Sequence, residues 1–190
     1  MMNRMYFLGV AAAGCLTWSA VAWAAPFGYV PNEGSGTVSV IDTATDLVVA
    51  TIPAGKKPRG LAISADTLYV SDQPNNRLVT IDLKTRKAGA TIALGESPEG
   101  VYASPDGRWI SSAIEESNDV AITDTQTNKV AFTIKVKGRN PEHAVFSPDG
   151  KKLFVSAEEG EAVDIVDFTT REQVAQVPVG ARPRGIGFLP

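Results

Sequence analysis

Thiols and imidazoles are almost absent from this sequence, which has one cysteine, Cys15, and one histidine, His143, among 190 residues. Cys15 lies in an apolar N-terminal run, so the rest of the chain holds no disulfide, thiolate metal site or cysteine nucleophile. A lone histidine without cysteine partners does not build an ordinary zinc or copper site, and no metal site is expected. No C-x-x-C-H segment is present, which excludes covalently attached c-type haem. Excess positive charge is also missing: 18 Lys and Arg stand against 21 Asp and Glu, a formal net charge of −3. No basic field draws nucleic acid or an acidic membrane to such a surface. Aromatic residues make up 7% and are not interleaved with basic ones, so a base-stacking platform for single strands is not expected either.

The N-terminus reads as an export leader. Arg4 precedes a mostly apolar run from Tyr6 to Val21, and Ala22-Trp23-Ala24 offers small residues where a signal peptidase cuts. Residues 1–24 are therefore assigned as a signal peptide and 25–190 as the mature domain, periplasmic or secreted, without a membrane span after cleavage. The apolar run is short for a retained anchor of about 20 residues. Ala12-Ala13-Gly14-Cys15 lacks the leucine of a lipoprotein box, so lipidation is the minor alternative.

Beyond the leader, one pattern occurs four times. An aspartate recurs at Asp42, Asp82, Asp124 and Asp167, and a proline at Pro58, Pro98, Pro141 and Pro183, both at intervals of 40 to 43 residues. Within each copy apolar residues alternate at strand period, as in Val38/Val40, Val120/Ile122 and Val163/Ile165. Turn chemistry interrupts them at Asn75-Asn76 and at the two Ser-Pro-Asp-Gly segments beginning at Ser104 and Ser147. One copy divides into strands over Gly60–Ser64, Leu68–Ser71, Arg77–Leu83 and Ala88–Leu94, and no segment of ten residues has a helical pattern. The fold class is all-β. Four four-stranded antiparallel blades of about 40 residues form a β-propeller, with repeats over 27–64, 68–104, 109–147 and 153–189. The Asp-x-x-Thr segments are turns whose carboxylates accept backbone N–H groups; as a catalytic quartet they would be spread around the ring.

The first repeat begins at its second strand (Phe27–Pro31), and a lone first-type strand (Gly185–Leu189) follows the fourth. That C-terminal strand is expected to complete the first blade and remove two open edges. Four blades leave three readings: a four-bladed ring, a homodimer in which two chains share an eight-bladed ring by strand exchange, or a shortened relative of a longer propeller that folds poorly.

The phrases Leu68-Tyr-Val-Ser-Asp72, Val40-Ile-Asp-Thr-Ala-Thr45, Ala50-Thr-Ile-Pro-Ala-Gly55 and Pro58-Arg-Gly-Leu-Ala62, with the two Ser-Pro-Asp-Gly turns, resemble the YVTN-type β-propeller repeat. Tyr29-Val-Pro-Asn32 and Tyr69-Val-Ser-Asp72 stand where that family has Y-V-T-N. The resemblance covers the whole mature chain. It is greatest to the exported branch associated with pyrroloquinoline-quinone (PQQ) dependent catabolism, whose members usually have more blades than the four here. It implies an exported, non-enzymatic propeller and carries over no catalytic residues. PQQ enters only through this association, and no cofactor is assigned to the chain itself.

Ligands of propellers bind near the axis. The residue after each recurrent proline is charged, Arg59, Glu99, Glu142 and Arg184, and precedes an innermost strand. With Lys56, Lys57 and Arg182 the arginines are expected to form a basic half of the channel mouth, faced by an acidic half of Glu96, Glu99 and Glu142. Two guanidinium forks suit a carboxylate; the plainer alternative is that the arginines pair with the glutamates across the mouth. Gly60, Gly100 and Gly185 follow, accounted for by close packing of inner strands. His143 replaces glycine at the fourth site, where it either meets a ligand or fills the mouth. The acidic loops at Glu115-Glu116 and Glu158-Glu159 read as solvated faces, and Tyr102 as inter-blade packing. The ligand-binding candidates are Arg59, Glu99, Glu142, His143 and Arg184, with no catalytic residue assigned. The functional expectation is a non-enzymatic binding or scaffold propeller. Its loop face meets a protein partner or a small anionic ligand, as an accessory to periplasmic quinone-dependent oxidation. The alternative is a lactone hydrolase-like or redox-accessory enzyme using the same mouth.

Overall fold

Strand-period alternation is realised, among the described residues, as fifteen strands in four antiparallel sheets. The structure is a computed structural model that describes residues 26–189; the leader, its cleavage point and Cys15 lie outside the described residues. The first sheet contains β1 (Phe27–Asn32), β2 (Thr37–Asp42) and β3 (Leu47–Pro53). The second runs β4 (Pro58–Ser64), β5 (Thr67–Asp72), β6 (Arg77–Asp82) and β7 (Lys87–Ala93), with a 3-10 turn at Gln73–Asn75. The third comprises β8 (Pro98–Ala103), β9 (Trp109–Ile114), β10 (Asp119–Asp124) and β11 (Lys129–Lys135). The fourth comprises β12 (Pro141–Phe146), β13 (Lys152–Ala157), β14 (Ala162–Asp167) and β15 (Glu172–Pro178). In every sheet, strands consecutive in sequence are neighbours, the up-and-down order of propeller blades.

The recurrent aspartates do what their turns require. Asp82 Oδ1 accepts hydrogen bonds from Thr85 N (2.6 Å) and Thr85 Oγ1 (2.8 Å), and Asp167 Oδ1 from Thr169 N and Thr170 N (2.9 Å each). Four residues after each aspartate the backbone turns left-handed, at Asp46, Arg86, Asn128 and Arg171, and that residue's N–H reaches back to the aspartate carbonyl at 2.8 Å. A register shift follows in each hairpin, the bulge that twists a blade.

The core lies between blades rather than within them, and the second and third sheets are apolar on both faces. Val38, Val40 and Ile52 of the first sheet pack on Leu68, Val70 and Ile81 of the second. Tyr69, Leu78 and Ile92 continue to Val101 and Ile110 of the third. Val120, Ile122 and Ile134 then meet Phe146, Leu153 and Val155 of the fourth, capped by the rings of Trp109, Phe132 and Phe168.

No such layer joins the first sheet to the fourth among the described residues, and here the structure corrects the expected closure. The first sheet has three strands, and residues 179–189 form none. The C-terminal segment instead rests on the fourth blade. Phe188 meets the ring of Phe154 edge-on at 5.0 Å, and Arg182 and Arg184 reach Glu158 and Glu142. Facing sheets keep about 10 Å between them, so four blades would have to splay widely to bring this segment round to β1.

Candidate functional site

Each inner strand starts at a buried proline, and its pairing breaks there: between Pro58 and Leu61, Pro98 and Val101, and Pro141 and His143. The break frees the next residue from the pleat and turns it to the mouth. Serines of neighbouring strands satisfy the loosened backbone. Ser71 Oγ accepts from Gly60 N at 2.8 Å and donates to Glu99 O at 2.7 Å, while Ser111 Oγ donates to Ala144 O at 2.6 Å. Asp72 fixes the preceding loop, its Oδ1 accepting from Lys56 N (2.7 Å) and Lys57 N (3.2 Å). The inner strands stand very close: a Cβ on Gly60 would lie 2.6 Å from Glu99 O, and one on Gly100 2.7 Å from Glu142 O. Gly185 departs from that account, with nothing within 4 Å, and no inner strand packs against it among the described residues.

The five candidate residues meet in one cavity of about 210 Å³, to which all four blades contribute: Pro31 and Glu33, then Arg59 and Gly60, then Glu99 and Gly100, then Glu142 and His143, with Arg184 of the C-terminal segment. A wider cavity of about 520 Å³ opens above it, shares Arg59, Glu99, Glu142 and Arg184, and adds Glu115, Glu158 and Arg182.

Charge does not divide into two halves as expected; it interleaves. Arg59 Nε donates to Glu99 Oε2 at 2.7 Å and its Nη1 to Glu33 Oε2 at 3.0 Å, and Lys57 also bonds Glu33 at 3.1 Å. Arg184 Nη1 reaches Glu142 Oε2 at 2.8 Å and its Nη2 Glu158 Oε2 at 3.1 Å, with Arg182 on the other oxygen of Glu158. Pairing across the mouth is thus the observed state. The acids are the buried members: the Glu99 and Glu142 side chains are 4% exposed, those of Arg59 and Arg184 25% and 46%. Nη2 of Arg59 and Nε of Arg184 have no protein partner among the described residues. Lys56 and Glu96 point to solvent and line neither cavity. Glu158, expected on a solvated loop, is buried within the network.

Protonation follows from this crowding. Burial pushes the Glu142 carboxyl up to about 8, helped by its hydrogen bond with Glu158 and by the charge of Glu99, against the pull of Arg184. Arg184 loses that contest because it is half exposed and shared with Glu158. Glu158 moves down, chiefly through the hydrogen bond it accepts from Glu142, so the pair holds one proton, on Glu142. Glu99 is raised by burial despite Arg59. His143 is lowered by burial and then by Arg184 and Arg59, which keeps its ring neutral. Its Nδ1 stands 2.7 Å from Tyr102 Oη; with the phenol donating, the imidazole proton resides on Nε2. Tyr102, read from sequence as packing, belongs to the site, as do Glu33, Glu158 and Gln73, whose Nε2 bonds Glu99 Oε1.

No protein-family model matches the chain, and no curated protein matches it. Among solved structures it is similar to hydrazine synthase of Kuenenia stuttgartiensis, with a TM-score of 0.77 and 20% identity over 89% of this chain and 53% of that one. It is also similar to the dihydro-heme d1 dehydrogenase NirN in complex with DHE, with a TM-score of 0.68 and 19% identity over 84% of this chain and 36% of that one. The chain thus spans about half the length of the first and about a third of the second. At such identity the likeness shows the propeller fold and not the activity.

Proposed function

We propose that the chain is an exported, non-enzymatic binding propeller whose mouth takes a small anionic ligand, a carboxylate or phosphate. One observation carries this reading: each guanidinium is oriented by carboxylates, Arg59 by Glu33 and Glu99 and Arg184 by Glu142 and Glu158, and keeps one nitrogen without a protein partner among the described residues, Nη2 of Arg59 and Nε of Arg184. An anchored fork is already oriented for a planar anion and loses little freedom on binding it. PQQ, a polycarboxylate, belongs to the class these N–H edges accept, and the accessory role in quinone-dependent oxidation is the extension of this reading.

Calorimetric titration of the purified protein with citrate, inorganic phosphate and PQQ tests it. The expected result is saturable heat with at least one of them, weakened at least tenfold by Arg59→Lys/Arg184→Lys, about 1.4 kcal/mol. That variant keeps a counter-charge on every buried carboxylate and removes only the forks. No saturable heat with any probe, or undiminished affinity in the variant, refutes the proposal.

A second reading has its own observation. A protonated Glu142 and a neutral His143 share the mouth, an acid and a base with displaced proton affinities, the imidazole Nδ1 taking its proton through the Tyr102 hydroxyl that bonds it. Hydrolysis of a simple lactone that is lost in His143→Gln, with anion binding retained, would favour the enzyme.

A further inference from the structure

The second strand of a blade is normally shielded by an inner strand. Val70, Ser112 and Val155 hold the same position in the second, third and fourth blades and are all 0% exposed. Val30, their counterpart in β1, is 42% exposed, and among the described residues no strand pairs with that edge. The segment that fits the edge is in the same chain: Pro183-Arg184-Gly185-Ile186-Gly187-Phe188 repeats the character of Pro58-Arg59-Gly60-Leu61-Ala62-Ile63, which forms the inner strand beside β5. That segment already sits at the opposite end of the array, against β12 and β13, where the inner strand of a following blade would stand.

We infer that this edge is an interface for a second copy of the chain. The segment around 183–189 of each copy pairs with β1 of the other, closing two arrays of four sheets into one eight-bladed ring. The β4–β5 register, in which Leu61 faces Val70 and Ile63 faces Leu68, transfers to Ile186 facing the partner's Val30 and Phe188 facing the partner's Gly28. Gly185 then acquires a reason. Gly60 and Gly100 lack a Cβ because the next inner strand presses on them, and the open space beside Gly185 is where the partner's β4 comes to lie. The copy also completes the mouth, since Arg184 becomes the neighbour of the partner's Arg59, two anchored forks side by side. The inference is independent of the ligand reading, because assembly is measured with no anion added.

Light scattering on a sizing column should give a two-chain mass, reduced to one chain by Gly185→Val. A Cβ there meets nothing within 4 Å in the single chain, so the variant's melting temperature should match that of the isolated wild-type array. A cysteine pair locates the contact: Val30→Cys/Ile186→Cys, in a background with Cys15→Ser, should form an interchain disulfide under mild oxidation. A one-chain mass for the wild type, an intrachain disulfide (a four-bladed ring closed on itself), or a dimer unaffected by Gly185→Val would each overturn the inference.

Discussion

The proton shared by Glu142 and Glu158 makes stability fall as pH rises through neutrality. In the unfolded chain Glu142 ionises near the ordinary glutamate value of 4.5, whereas in the fold it retains its proton to about 8. Between those limits the native state binds more protons than the unfolded state, so every unit of pH costs the fold about 1.4 kcal/mol. The ceiling is roughly 5 kcal/mol over the whole window, with about 2 to 3 kcal/mol of it lost between pH 6 and pH 8. Glu158 does not cancel this. Its value is lowered, so its contribution is complete above 4.5 and is lost only as pH falls below that; His143, lowered from 6.5, offsets part of the trend near pH 6 and does so with or without Glu142. For a domain of this size each kcal/mol moves the melting temperature by about 2 to 4 °C, so the wild type should melt roughly 5 to 10 °C lower at pH 8 than at pH 6. Glu142→Gln preserves a donor to Glu158 and an acceptor for Arg184 while removing the titration, and should abolish most of that difference by raising the pH 8 value. Thermal melts of both proteins at the two pH values are the assay. A wild type equally stable at both, together with a Gln variant weakened equally at both, would mean that Glu142 is ionised in the fold and that Arg184 governs it.

Three smaller predictions accompany this one. Ala65 turns the β4–β5 hairpin with φ of 49°, and Ala65→Gly should raise stability by about 0.5 to 1 kcal/mol by relieving a conformation that L-residues resist, measured by urea denaturation. Gly60→Ala places a Cβ 2.6 Å from Glu99 O and Val101 N and should cost about 1 to 3 kcal/mol in the same experiment; an unchanged midpoint would show that the inner strands are not packed as described. Because His143 is the only imidazole, its NMR titration is unambiguous. Its midpoint should lie below the ordinary histidine value and move up in Arg184→Gln, since burial and that guanidinium both disfavour its charge.

The blades were legible because their signals are local. The proline before each inner strand, the aspartate of each turn and the alternation of Val38 and Val40 each report a backbone state within a few residues. The mouth was half legible for the same reason. A charge one residue after each proline gave Arg59, Glu99, Glu142 and Arg184, but Glu33, Gln73 and Glu158 approach from loops whose direction no repeat phrase encodes. Lys56 shares a loop with Arg59, yet Asp72 grips its backbone N–H and its side chain points to solvent. One local signal does point to the His143 contact: Gly100 and Tyr102 flank Val101 just as His143 replaces the glycine of the next blade. A ring at 143 needs the missing Cβ at 100 and finds the phenol at 102. Closure was not legible, because it depends on the angle between sheets, which is set by the summed volumes of three core layers and not by any segment.

The Arg59–Glu99 pair separates the binding reading from a purely structural one. Glu99 stays above its ordinary range even with Arg59 Nε at 2.7 Å, so the penalty of burying this carboxylate exceeds the attraction its partner returns. A pair in that condition adds nothing to the fold that two packed apolar side chains would not match or exceed. What it does add is direction, because the carboxylate fixes a guanidinium plane against a cavity. Arg59→Met/Glu99→Leu should therefore leave stability unchanged or raise it by about 1 to 4 kcal/mol, while citrate binding falls at least tenfold. Removing Arg59 alone should instead destabilise by about 3 to 5 kcal/mol, since Glu99 would remain buried without its counter-charge. If the double apolar variant unfolds as readily as the single one, the pair is a structural member of the mouth, and the anion must be sought elsewhere.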